Sequence, residues 1–401
     1  MLTFFVIFAA YNCTSSPENI PMKKIVIASD SFKGSLSSAE VADAIAEGIR
    51  CVYPSCEIIC LRMGDGGEGT CEAMAQTRPC RWINIEVNDP LGRPCSAKYA
   101  LYEDEDGKSA IIEMAQASGL TLLSPEERNP LRTSTFGTGQ MIMDAFNRGC
   151  RRFTIGLGGS ATNDGGTGML EALGFRFMDN NGKLVLNCCG EKLSEIASID
   201  SSKVSAELLA SSFIAACDVD TVFYGEEGAT KVFAPQKGAS DSDIRILENG
   251  MQSLASNIFR EYGIDLGEIA GSGAAGGTGG ALFAFLNGKL CKGADLILNA
   301  ARFEDIIEDS DLIITGEGRI DCQTFRGKLP SRVLSRASDK GIPVLAIAGI
   351  VNLSNEEIRN SGFASILPIQ PTPASPEELA AAMTPSTAAE NIRSTIINYL
   401  R

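Results

Sequence analysis

The stretch Arg152-Phe153-Thr154-Ile155-Gly156-Leu157-Gly158-Gly159-Ser160-Ala161-Thr162-Asn163-Asp164-Gly165-Gly166-Thr167-Gly168 runs a short apolar segment into a loop carrying six glycines. A backbone needs so many residues without a Cβ where it approaches another group closely or enters positive φ. A loop of this kind after a buried strand is the place where open α/β sheets expose N–H groups that can cradle phosphate or carboxylate oxygens. Glycine is similarly dense in Gly64-Asp65-Gly66-Gly67-Glu68-Gly69, in the run 271–280, and in Thr315-Gly316-Glu317-Gly318-Arg319.

Working outward, the strand-then-loop pattern recurs at residues 24–28, 213–217, 312–315 and 344–348, all continuous apolar runs of the kind that parallel strands buried on both faces require. Helical patterns alternate with them. Ser37 and Glu40 stand at capping-box spacing before a stripe of Val41, Ile45 and Ile49. Residues 295–307 read as another helix, Ser375-Pro376-Glu377-Glu378 opens a further one, and Ile392, Ile396 and Leu400 share one side of the last. This alternation predicts an α/β protein with a largely parallel sheet. The 401 residues allow two domains, and no Ser/Pro-rich linker marks a boundary between them.

Composition removes several functions. The net charge of −15 argues against nucleic acid and anionic membranes as partners, because binding there is driven by a basic face. The 13 cysteines form no C-x-x-C pair, and reduced thiols of a cytoplasmic protein are expected. There is no histidine, which excludes Ser-His-Asp and Cys-His triads and His-based metal sites. Acid–base work then falls to Asp, Glu, Lys and backbone dipoles. Residues 1–21 read as an extension outside the fold, with Met22 as a natural start.

Gly271-x-Gly273-x-x-Gly276 formally matches a dinucleotide fingerprint, but residues 266–270 do not make the preceding strand that the motif needs. A Walker A loop is absent. What stands out is that the glycine loops contain acids. A carboxylate beside phosphate-cradling N–H groups is repulsive unless it holds Mg²⁺ or takes a proton, and that combination is what phosphoryl transfer requires. Asp164, Asp65, Asp30 and Asp321 are the candidate catalytic acids, with Asp65 and Glu317 as candidate metal ligands. Lys33, Gly158, Gly159, Ser160, Asn163, Gly276, Gly277, Arg319 and Lys328 are the candidate substrate and phosphate contacts, and Lys237 stands with Lys33, Arg319 and Lys328 as a loop cation for phosphate or a substrate carboxylate, solvated surface charge being the alternative.

These blocks, together with residues 22–35, 112–120, Pro235-Gln236-Lys237-Gly238-Ala239 and the run on to Asp321, occur in an order that resembles the bacterial glycerate kinases. The resemblance covers the chain after residue 21. It implies a discontinuous Rossmann-like domain (22–80 and 285–401), an inserted α/β domain (81–284), and an active site in the cleft between them. It also implies ATP and Mg²⁺ as cofactors, D-glycerate as substrate and 2-phosphoglycerate as product, and a homodimer is a further expectation. A glycerate 3-kinase, a non-catalytic sugar-acid-binding protein and an NAD-linked dehydrogenase are the alternatives. Residues 220–228 depart from the family's usual turn after Cys217-Asp218-Val219.

Overall fold

The computed structural model describes residues 22–32, 34–63, 73–75, 79–370 and 375–401. In chain order its strands are β1 Lys24–Ser29, β2 Glu57–Arg62, β3 Arg81–Asn88, β4 Pro94–Asp104, β5 Gly107–Glu113, β6 Arg152–Gly156 and β7 Arg176–Met178. They continue with β8 Leu184–Val185, β9 Ser198–Asp200, β10 Ser212–Ala216, β11 Lys289–Cys291, β12 Leu312–Ile320, β13 Val344–Val351 and β14 Ser365–Pro368.

Two parallel arrangements result. The first sheet is ordered β14-β13-β12-β1-β2, all neighbours parallel, and draws its strands from both ends of the chain. The second is ordered β11-β10-β6-β5-β4-β3 and comes from the middle. Its β5, β6, β10 and β11 are parallel, whereas β3, β4 and β5 form an antiparallel meander. A small antiparallel sheet, β8-β7-β9, lies apart from both.

Both faces of the first sheet are covered, as its unbroken apolar strands require. Ile25, Ile27, Ile314 and Ile347 pack on one face against Val41, Ile45 and Ile49 of the helix Ser38–Val52 and Ile392 and Ile396 of the helix Pro385–Leu400. Val26, Ala28, Ile313 and Ala346 pack on the other against the helices Gly293–Ala300 and Leu329–Ser338. Ala100 of β4 and Ile111 of β5 join this second cluster, so apolar contact links the two sheets. A separate large core around Phe153, Phe213, Phe177 and Leu282 belongs to the middle of the chain.

The expected capping box at Ser37 and Glu40 is formed, and Ile392, Ile396 and Leu400 are buried together. The helix expected over 295–307 is a pair, Gly293–Ala300 and Phe303–Ile306, parted at Arg302, whose φ of 54° is left-handed. The described cysteines are free thiols. No helix among the described residues is long and apolar enough to cross a membrane.

Candidate active site

The carboxyl ends of the parallel strands in both sheets open into one cleft of about 1520 Å³. Strand register sets what meets there. Ser29 of β1 lies beside Gly316 of β12, and the Asp30 N–H donates to the Gly316 carbonyl at 2.9 Å, so Asp30 and Glu317 emerge from adjacent strands. In the second sheet Gly156 of β6 lies beside Ala216 of β10, which delivers Leu157, Gly158, Gly159 and Ser160 next to Cys217, Asp218 and Val219. This is the crevice at the carboxyl ends of parallel strands where α/β proteins bind ligands.

On the first-sheet side, Glu317 is mostly buried. Its Oε1 accepts from Thr324 Oγ1 at 2.5 Å and its Oε2 from Lys328 Nζ at 3.2 Å. Burial raises its pKa, against the opposing pull of Thr324 and Lys328. Lys328 is the N-cap residue of the helix Leu329–Ser338, which points both its charge and that helix start at the cleft. Arg319 lines the cleft, exposed and without an ion-pair partner among the described residues. Asp30 also lines it, with Oδ1 accepting from the Ser31 N–H at 2.6 Å.

On the opposite side, Gly158, Gly159 and Ser160 line the cleft, held by the Leu120 N–H donating to the Gly159 carbonyl and the Ala161 N–H to the Ser118 carbonyl. Behind them sits Lys237, only 2% exposed, donating to Ser160 Oγ at 2.8 Å and to the Thr162 carbonyl at 2.7 Å. Burial lowers its pKa to about 7, with Asp164 partly opposing that.

Other expected residues stand elsewhere. Asp164 lies behind the wall, fully buried and not lining the cleft. Its Oδ2 accepts from the Thr135 N–H and Oγ1, both at 2.8 Å, and from the Gly168 N–H, while Oδ1 accepts from the Gly166 N–H. It thereby holds the starts of the helices Phe136–Asn147 and Thr167–Ala172 together, and burial raises its pKa. Asn163 is buried, its Nδ2 on Thr230 Oγ1. Gly276 and Gly277 are buried against the 162–166 segment and do not reach the cleft. The Gly165 N–H donates to the Gly276 carbonyl at 2.9 Å, so these glycines serve chain-to-chain approach rather than a ligand. Asp321 accepts from the Gln323 N–H and holds the turn before Thr324–Arg326, outside the cleft lining. Lys33 and Asp65 lie outside the described residues, as does Glu68.

One cleft acid, Asp218, stands beyond the set expected from sequence. Asp218 stands two residues after β10, near the carboxyl end of a parallel strand where ligand-facing residues sit, while the expected loop cation Lys237 is brought to the same cleft from the Pro235-Gln236-Lys237-Gly238-Ala239 block. Among the described residues no three acids or cysteines gather as a metal cage. The donor set does fit an ion carried in on phosphate oxygens, since Mg²⁺ commonly takes only one or two carboxylates from the protein. The fingerprint 271–276 is preceded by no strand, and Asp295, which stands about where that motif would place a ribose-binding acid, pairs with Arg332 and Arg336.

With this geometry in view, the relatives are informative. The sequence profile of the Glycerate kinase family matches residues 25–401. A glycerate kinase of Halalkalibacterium halodurans is 44% identical over 350 residues, covering 87% of this chain and 91% of that protein. A glycerate 2-kinase of Escherichia coli is 43% identical over 326 residues, covering 81% and 85%. The crystal structure of a candidate glycerate kinase 2 from Salmonella typhimurium superposes with a TM-score of 0.78 at 41% identity, covering 94% of this chain and 97% of that one.

Proposed function

The chain belongs to the glycerate kinase family, and from that premise we propose that its cleft transfers the γ-phosphate of ATP to the 2-hydroxyl of D-glycerate, giving 2-phosphoglycerate and ADP. Membership makes it an ATP-using phosphotransferase. The 2-hydroxyl is the finer step, supported by the name of the Escherichia coli relative.

The observation that carries the reading is the meeting of Asp30, Glu317, Lys328 and Arg319 from one sheet with Gly158, Gly159 and Ser160 from the other across a single cleft. Phosphoryl transfer needs cations and N–H donors around the phosphates and a carboxylate to receive the hydroxyl proton. In this reading Lys328 and Arg319 face the phosphates, and the N–H groups of Gly158 and Gly159 donate to an anionic oxygen. Asp30 takes the proton of the attacking hydroxyl. Glu317 would hold Mg²⁺, which when bound neutralises charge on the phosphate oxygens. The Thr324 and Lys328 contacts fix the Glu317 carboxylate in place.

Incubating the purified protein with D-glycerate, ATP and Mg²⁺ and reading the product by phosphorus NMR tests this. A 2-phosphoglycerate resonance is expected. A 3-phosphoglycerate resonance would overturn the regiochemistry, and no phosphorylated product would overturn the enzyme reading in favour of a sugar-acid-binding protein.

A further inference from the structure

We infer that Lys237 is the residue that recognises the acceptor's carboxylate: its ammonium binds the carboxylate of glycerate at the glycine-loop wall, beside Ser160. This rests on the glycerate reading above.

The argument begins with valence. An ammonium carries three N–H donors. Ser160 Oγ and the Thr162 carbonyl take two, and no third acceptor is present among the described residues. Lys237 nonetheless lines the cleft, together with Ser160, Gly158 and Gly159. An unmatched donor on a cation buried to this extent is costly unless an anion completes it. The negative charge that acts on it, Asp164, already accepts from Thr135, Gly166 and Gly168 and makes no hydrogen bond to the lysine.

Charge matching selects the ligand. A single buried cation suits a single small anion, because each unit charge taken out of water must be compensated locally. The triphosphate of ATP carries several charges and calls for several cations, which the opposite side supplies in Lys328 and Arg319. A glycerate carboxylate on Lys237 would direct the hydroxyl-bearing carbons into the cleft toward that opposite side. The depressed pKa fits a lysine awaiting an anion, since a bound carboxylate would favour its charged form.

The test compares Lys237→Met with the wild type on two acceptors, D-glycerate and glycerol, which lacks the carboxylate. Loss of a charge-assisted hydrogen bond should lower kcat/KM for glycerate about 10- to 100-fold. The KM for ATP should stay within about threefold, and the preference for glycerate over glycerol should shrink by the same factor as kcat/KM. Equal losses on both acceptors, or a raised KM for ATP with glycerate unaffected, would overturn the assignment and leave Lys237 as a loop support. If Lys237→Met does not fold, Ser160→Ala keeps the lysine but frees its ammonium. It should raise KM for glycerate several-fold with KM for ATP unchanged, and an unchanged KM for glycerate there would count against the proposal. A wild type that phosphorylates no glycerate would instead sink the family-based reading, which keeps the two failures distinguishable.

Discussion

The front and back of one loop use glycine in opposite ways. Gly158 and Gly159 line the cleft, and a Cβ added at Gly159 would meet only Ala115 Cβ, at 3.2 Å. A few residues on, Gly165 and Gly166 turn inward against the 271–280 segment, where a Cβ on Gly276 would lie 2.1 Å from the Thr162 carbonyl oxygen and 2.6 Å from Asn163 Cα. The front leaves room for a ligand, whereas the back removes side chains so that two backbones can touch. Glycine density therefore marks close approach without saying what approaches, and the acids follow the same division. Asp30 and Glu317 open into the cleft, while Asp164 is consumed by the backbone it organises.

The sharpest way to break this comparison is Gly276→Ala against Gly159→Ala. The first combines a φ of 65° with collisions against three backbone atoms of Thr162 and Asn163 that no rotamer can relieve, and should cost at least about 4 kcal/mol. The second carries the strain of its φ of 73°, about 1–2 kcal/mol, and one tight contact with the Ala115 side chain, with no backbone collision. Denaturant unfolding measures both, and equal costs would erase the distinction between front and back.

Next in size is Asp164→Ala, which strands the Thr135 N–H and hydroxyl and the N–H groups of Gly166 and Gly168 in a dry interior. Each such orphan costs about 1–3 kcal/mol, so a loss of about 3–5 kcal/mol is expected after partial relaxation. Asp164→Asn retains one acceptor and should lose less. A thermally unchanged Asp164→Asn enzyme with kcat reduced about a hundredfold would return Asp164 to the chemistry.

Cleft acids should show the reverse signature. Asp30→Asn and Glu317→Gln keep shape while removing charge, and kcat should fall about 10²-fold. Unfolding free energies should stay within about 1 kcal/mol, because neither carboxylate anchors a set of buried N–H groups as Asp164 does. Large destabilisation with preserved specific activity would merge the two classes of acid.

What is legible in the sequence follows the same division. Apolar runs such as Ile25–Ala28 and Leu312–Thr315 announce parallel strands because burial on both faces leaves no polar alternation, and the Ser37–Glu40 box is a local signal that needs no tertiary knowledge. The β3-β4-β5 meander is not announced in this way, since β3 mixes polar and apolar residues and the antiparallel pairing runs across a face that only the assembled second sheet defines. For the site, chain order locates the loops but not the direction in which each residue faces. Asp164 and Asp30 both follow strands, and only packing tells that one turns inward. Lys237 shows the converse. Nothing in Pro235-Gln236-Lys237-Gly238 says that its lysine is enclosed, because Ser160 and Thr162, which enclose it, lie over seventy residues away.

The smallest effect expected is also the most specific to the cleft wall. Lys237 titrates near 7 in the folded protein, depressed by burial, and Asp164 is the charged group that acts on it, since Ser160 and Thr162 carry none. Below that pH the free enzyme presents an ammonium to the substrate carboxylate. Above it the free enzyme has lost the proton, and glycerate binding must take one up. KM for glycerate at saturating ATP should therefore be flat below about pH 7 and rise by up to about tenfold per unit above it, one pKa unit being about 1.36 kcal/mol. KM for ATP should show no matching rise. With no histidine in the chain, imidazole cannot produce this limb. Lys237→Met should flatten the glycerate profile at a uniformly raised value. A limb that persists in that variant would assign the titration to another group and detach the buried lysine from acceptor binding.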